Sequence, residues 1–182
     1  MKIFQAEQLS QTQILNPNQA IKPIHDIRLF TFFESLSFPK SPHSLLGIYL
    51  SVYFQDLDPI KTEYIYNKIN TQILKTLQSY LDMGYVELLE IKPALYFLIM
   101  IDVKEDAILN AIYNLKKDIE KRTLFYKNKE YHLHLRCGLY FSGSHIDAYT
   151  FYHETKLQYH NALEHDNFMS LYNSCVDDLD FE

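Results

Sequence analysis

Residues 85–100 read YVELLEIKPALYFLIM, and the break at Lys92-Pro93 decides the fold. On either side lies an apolar run of strand length, YVELLEI (85–91) and ALYFLIM (94–100). Neither is long enough for an independent helix, and proline cannot donate to a ladder, so the pair reads as two strands joined by a very short turn. The second run is almost continuously apolar, which marks a strand covered on both faces. Working backwards, SLLGIYLSVYF (44–54) has the same character and reads as a central strand. Between them, Asp58-Pro59 is a helix start signal, a capping side chain followed by a first-turn proline. Ile60, Tyr64, Ile69, Ile73, Leu77 and Leu81 then recur at helical spacing, and Gly84 supplies a stop.

Working forwards, Asp102 and Glu105 have capping-box spacing. They open a helix whose buried stripe is Ala107, Ile108, Ala111, Ile112, Leu115 and Ile119. TLFY (123–126) and EYHLHLRCGLYF (130–141) flank Lys127-Asn128-Lys129 as a hairpin. Along the second strand His132, His134 and Arg136 alternate with Leu133, Leu135 and Cys137, a pattern expected of an edge strand with an exposed polar stripe. Ser144 and Asp147 start a last helix over 145–164, and FMSLY (168–172) is expected as a closing edge strand. Upstream, residues 1–24 are rich in Gln and Asn and read as an arm. Asp26 caps a short apolar helix through Phe38, and Pro39, Ser41, Pro42 and His43 make a connector. The expected organisation is an arm (1–24), one domain (25–172) and an acidic tail or linker (173–182). The expected fold class is α+β, a ferredoxin-like βαββαβ core with an extra hairpin strand and a C-terminal helix.

Composition narrows the function. With 182 residues and 47% hydrophobic residues, the chain builds a core without staples. A net charge of −6 provides no basic face for nucleic acid. Two cysteines, Cys137 and Cys175, supply neither a disulfide framework nor a zinc ribbon, and Cys137 reads as an inert core thiol. No two of the four glycines are adjacent, so no Gly-rich loop cradles a phosphate. No signal peptide or bilayer-spanning run is read, which makes a cytoplasmic protein without membrane association the expectation. The Ser142–His145 stretch lacks a nucleophile elbow, and Ser144 reads as a cap.

This element order resembles the GGDEF domain, the family of the diguanylate cyclases, which join two GTP molecules into cyclic di-GMP. Three local echoes carry the resemblance: NTQIL (70–74), RCGL (136–139) and YHNA (159–162). The resemblance implies that the family's signature turn falls on Pro93-Ala94-Leu95-Tyr96-Phe97, where only Phe97 is retained. It implies further that the metal-binding Asp of the first strand lands near Tyr53 or Phe54, and the phosphate-binding Lys on Leu163. The inhibitory Arg-x-x-Asp motif is missing, since ELLEIK (87–92) holds no arginine. Aromatic and aliphatic side chains offer Mg²⁺ no oxygen ligands. The expectation is therefore a domain with no catalytic residues, metal or cofactor, acting as a regulatory or interaction module in cyclic di-GMP signalling. The implied partners are another protein, a linked signalling domain or a second copy, with weak GTP binding as a residual capacity. Two alternatives stand beside it. One is an active metal- and nucleotide-dependent enzyme that uses Asp56 and Asp58, with Glu90 or Asp102 across from them. The plainer reading of those acids is that Asp58 caps the long helix and Asp56 is a solvated loop residue. The other is a ferredoxin-like protein-binding domain unrelated to cyclases.

Overall fold

The computed structural model describes residues 2–4, 44–54, 59–83, 85–126, 128–142, 146 and 148–174. Among the described residues ten elements follow one another: β1 (Lys2–Phe4), β2 (Leu45–Phe54), α1 (Pro59–Leu81), β3 (Tyr85–Lys92), β4 (Leu95–Ile101), α2 (Glu105–Glu120), β5 (Thr123–Tyr126), β6 (Lys129–Ser142), α3 (Ala148–Glu164) and β7 (Met169–Asn173). The expected α+β, ferredoxin-like order is present, with the hairpin strand β5 and the C-terminal α3 added to it. The upstream stretch expected as an arm contributes β1, a three-residue strand parallel to β3. The helix read over 26–38, the acids Asp56 and Asp58, Gly84, Ser144, Asp147 and the tail from 175 lie outside the described residues.

The sheet order is β1-β3-β4-β2-β6, and two strands share the outer edge of β6. β5 pairs antiparallel with Lys129–His132, and β7 pairs parallel with Cys137–Phe141. β2 sits between β4 and β6, antiparallel to both, so its apolar run is explained by neighbours on both edges and cover on both faces. One face carries α1 and α2. Leu46, Ile48, Leu50 and Val52 meet Ile69, Ile73, Leu77, Ile108, Ile112 and Leu115 there. The opposite face carries Tyr49, Phe97, Ile99 and Tyr140 against Phe151 and Tyr152 of α3.

Three local expectations are corrected. The helix α2 is capped by the backbone of Lys104, without a side-chain cap hydrogen bond. The capping box fails because Asp102 takes a left-handed φ of 56°, turning the chain as it leaves β4. Lys129 belongs to β6 rather than to the turn, since it already pairs with Tyr126, and Asn128 supplies a positive φ of 63°. Finally, the stretch of β6 that carries Arg136 is interior rather than an edge. It pairs with β2 along its length, and Arg136 is buried. Residue alternation fixes which way side chains point but not how many strands lie beyond them.

The connections β4–α2–β6 and β6–α3–β7 step in the same direction between strands of like sense, yet run over opposite faces. They are therefore of opposite hand, and the general right-handed preference leaves α3 as the exception. Its seat is made by two glycines. A Cβ on Gly138 would overlap backbone atoms of Gln158 and Tyr159, and one on Gly47 would overlap Thr155 Oγ1. Among the described residues no helix is long and apolar enough to cross a membrane.

The two glycines predict distinguishable outcomes in denaturant unfolding. Gly138→Ala meets helix backbone and should destabilise by about 1–3 kcal/mol or more, beyond relief by a side-chain change. Gly47→Ala meets a hydroxyl, so Thr155→Ala should recover part of its loss. Equal behaviour of the two would contradict the described packing.

Candidate functional site

At the end of the sheet where β2 finishes and β3 turns into β4, the residues expected for the signature turn come together with one helix residue. Pro93 and Ala94 form the turn, and Ala94 has φ 65°, the left-handed region normally left to glycine. Proline followed by a left-handed residue is the pattern of a type II turn, and the ladder slips between Glu90 and Lys92 to accommodate it. The Ala94 carbonyl accepts the Val52 amide at 2.9 Å, tying the turn to β2. From α1, Asn70 reaches the same place. Its Oδ1 accepts the Ala94 amide at 3.3 Å and the Tyr96 hydroxyl, while its Nδ2 donates to Glu90 at 2.8 Å.

One amide thus holds β3, the turn and β4 on α1. Tyr96 is fully buried, and burial, with Glu90's charge adding to it, pushes its phenol far above the ordinary tyrosine range. Leu95 is half-buried beside it, and Phe97 packs on the other face against Phe151 and Tyr152.

The end of β2 is aromatic, as expected from the sequence. Phe54 is buried and stacks on Tyr66 of α1 with centroids 5.5 Å apart. Its amide donates to the Tyr66 hydroxyl at 3.2 Å. Burial raises the Tyr66 phenol to about 12. Tyr53 lies under the Arg136 guanidinium at 5.0 Å and beside His134 at 5.6 Å. Burial also raises its phenol, against the lowering effect of Arg136. Arg136 in turn bonds Asp166 at 3.0 Å and the Asn167 carbonyl at 3.2 Å, so it clamps the end of α3 rather than a ligand.

On the α3 side, the Tyr159 and Ser51 hydroxyls share a hydrogen bond of 2.9 Å. Between this bond and the turn lies a cleft of about 300 Å³. Its walls include Tyr49, Tyr53, Tyr66 and Tyr159, and its charged or titratable edge is Lys92, Lys156 and His160. Among the described residues no carboxylate lines it. Leu163, placed at the family's phosphate-binding lysine, is 46% exposed and is not a wall of the cleft.

No group of three or more His, Cys, Asp or Glu fit to hold a metal occurs among the described residues. Glu90 is engaged with Asn70. Asp102 lies at the opposite end of β4, where its amide bonds the Ser44 carbonyl, so it cannot share a site with the end of β2. Asp56 and Asp58 fall outside the described residues. Cys137 is buried, and burial holds its thiol far up, as expected of an inert core residue. The sequence reading missed Tyr66, Lys156 and His160 as cleft residues. Tyr66 carries no motif, and the two α3 residues become neighbours of the turn only once α3 is seated.

No family model matches this chain, and no curated protein matches it. Solved structures match it in fold. An EAL/GGDEF domain protein from M. capsulatus aligns with a TM-score of 0.56 at 8% identity, covering 80% of this chain and 94% of its own. The active GGEEF domain of a diguanylate cyclase from Vibrio cholerae gives 0.53 at 13%, with 80% and 90% covered. The diguanylate cyclase SiaD of Pseudomonas aeruginosa, solved with its activator SiaC, gives 0.54 at 9%, with 81% and 55% covered. The chain therefore has the GGDEF-domain fold, as its element order led us to expect.

Two measurements probe this corner. Asn70→Ala removes the acceptor of the buried Tyr96 hydroxyl and should cost about 1–3 kcal/mol, read from urea unfolding. Little change would show that Asn70 is not the anchor. The buried phenols also set an alkaline limit. Above pH 10 the unfolded chain's tyrosines lose protons that folded Tyr66 keeps until about pH 12. Stability should thus be intact below pH 10 and fall from there to pH 12, with Tyr66→Phe flattening part of the decline.

Proposed function

We propose that this domain is a non-catalytic GGDEF-fold module that works in cyclic di-GMP signalling by contacting another protein or a linked domain. The observation that carries the reading is the Asn70 anchor. The turn amide and the phenol of Tyr96 are both committed to one structural side chain, which keeps these two groups from binding metal or activating a hydroxyl. Phosphoryl transfer needs cations held by carboxylates around the transferring group. The corresponding places are Tyr53, Phe54, Leu95 and Tyr96, and the resolved phenols are shifted upward, away from general-base duty at neutral pH. A protein partner accords with a fold whose relative SiaD is solved bound to an activator protein. The cleft with Lys92, Lys156 and His160 supports residual binding of an anion such as GTP rather than its turnover. We place the domain in the cytoplasm, where that signalling operates.

The second reading, an active enzyme built on Asp56 and Asp58, is favoured only by their position just after β2. Incubation of the protein with GTP and Mg²⁺ or Mn²⁺, followed by chromatography, separates the two. The expected result is unchanged GTP. Formation of cyclic di-GMP that disappears in Asp56→Ala would overturn the proposal. Calorimetric titration of the same mixture reads any residual binding, which should weaken in Lys156→Ala.

A further inference from the structure

Positive charge converges on the cleft from two elements. Lys92 stands at the end of β3, while Lys156 and His160 are four residues apart on α3 and so share one face of that helix. Elsewhere Lys116 is paired with Glu120, Arg122 with Asp118 and Arg136 with Asp166. No ion pair among the described residues includes Lys92 or Lys156. The Lys156 ammonium lies 5.9 Å from the centre of the Tyr152 ring, a contact that leaves its charge in place.

The walls suit a ring. Tyr49, Tyr53, Tyr66 and Tyr159 line the cleft, and a tyrosine offers an apolar body to an aromatic ligand. Two of these side chains are already tied to the protein. The Tyr66 hydroxyl accepts the Phe54 amide, and the Tyr159 hydroxyl shares a hydrogen bond with Ser51. These walls are therefore in position before any ligand arrives, which lowers the ordering cost of binding. A volume of about 300 Å³ lies at the small end of ligand sites, with room for one ring and its anionic substituent.

The lining also decides how a phosphate would be neutralised. A divalent cation needs several oxygen ligands, carboxylates first among them, and no carboxylate lines the cleft among the described residues. Two ammonium groups repel a dication and bind the same phosphate oxygens that it would bind. Lysines and Mg²⁺ are thus competitors here.

We propose that the cleft takes a phosphorylated aromatic ligand of the nucleotide class in its metal-free form, with Lys92 and Lys156 on the phosphates and the tyrosine walls around the ring. This rests on the reading that the cleft retains an anion site, and deepens it by giving the lysines the place of a divalent cation.

Calorimetric titration of the full chain with GTP, once in EDTA and once in excess Mg²⁺, tests it. Binding is expected in EDTA and should be no tighter in Mg²⁺. Lys92→Gln and Lys156→Gln should each weaken it about tenfold with an unchanged urea midpoint. Inorganic triphosphate, which lacks the ring, should bind about tenfold more weakly than GTP. Binding that requires Mg²⁺ would overturn the inference and leave the anion site standing. Absence of binding in both buffers would overturn the two together. Binding in EDTA that neither lysine variant weakens, or that triphosphate matches, would also overturn the inference. Should one variant lose its urea midpoint, the other decides.

Discussion

The contact between Gly138 and the backbone of α3 sets the arrangement of everything C-terminal to β6. A strand and a helix approach this closely only where the strand presents no side chain, and Gly47 on the neighbouring strand widens the seat. Seated there, α3 brings Tyr159 to Ser51 and sends the chain back along the outer edge of β6 as β7. Arg136 then fastens the exit of the helix through Asp166, while its guanidinium covers Tyr53. The glycines, the unusual hand of the connection and the wall of the cleft are one constraint seen from three sides.

The turn between β3 and β4 shows how backbone path and side-chain identity separate. Ala94 keeps a conformation that a glycine would adopt without strain, and an L-residue there costs roughly 1–2 kcal/mol. Burial of its methyl and two backbone hydrogen bonds from the turn offset that cost. The geometry of the turn is thus retained by packing. Ala94 and Tyr96 are buried there, and the Tyr96 hydroxyl meets Asn70. Fold similarity at identities near 10% is what such a separation produces, because tertiary shape depends on patterns of burial that many side chains satisfy.

The sequence made the central layers legible because their signals are redundant. The run from Leu45 to Phe54 admits no exposed face, and Pro93 leaves room for nothing but a tight turn. Asp58-Pro59 marks a helix start at the residue where α1 begins. What stayed hidden depended on neighbours rather than on local pattern. Lys2–Phe4 is too short to show a period and exists as a strand because β3 offers an open edge. His134 and Arg136 alternate like edge residues, and only the pairing of β6 with β2 reveals them as interior. Asp102 has the spacing of a cap, but its backbone is needed for the turn that ends β4. In the cleft, the aromatic end of β2 was legible as part of the apolar run. The Asn70 anchor was not, since a helix asparagine carries no sign of which strand it will meet.

The sheet margins have a bearing on colloidal behaviour. An unpaired strand edge is a template for adding further strands, and long, flat edges lead to fibrils. Here one margin is β1, three residues long, and the other is divided between β5 and β7. Among the described residues, neither margin is a long unbroken strand. A chain so rich in tyrosine, phenylalanine and β-branched residues carries much of the composition of an aggregating sequence. Short and broken margins give that composition few places for backbone-to-backbone growth.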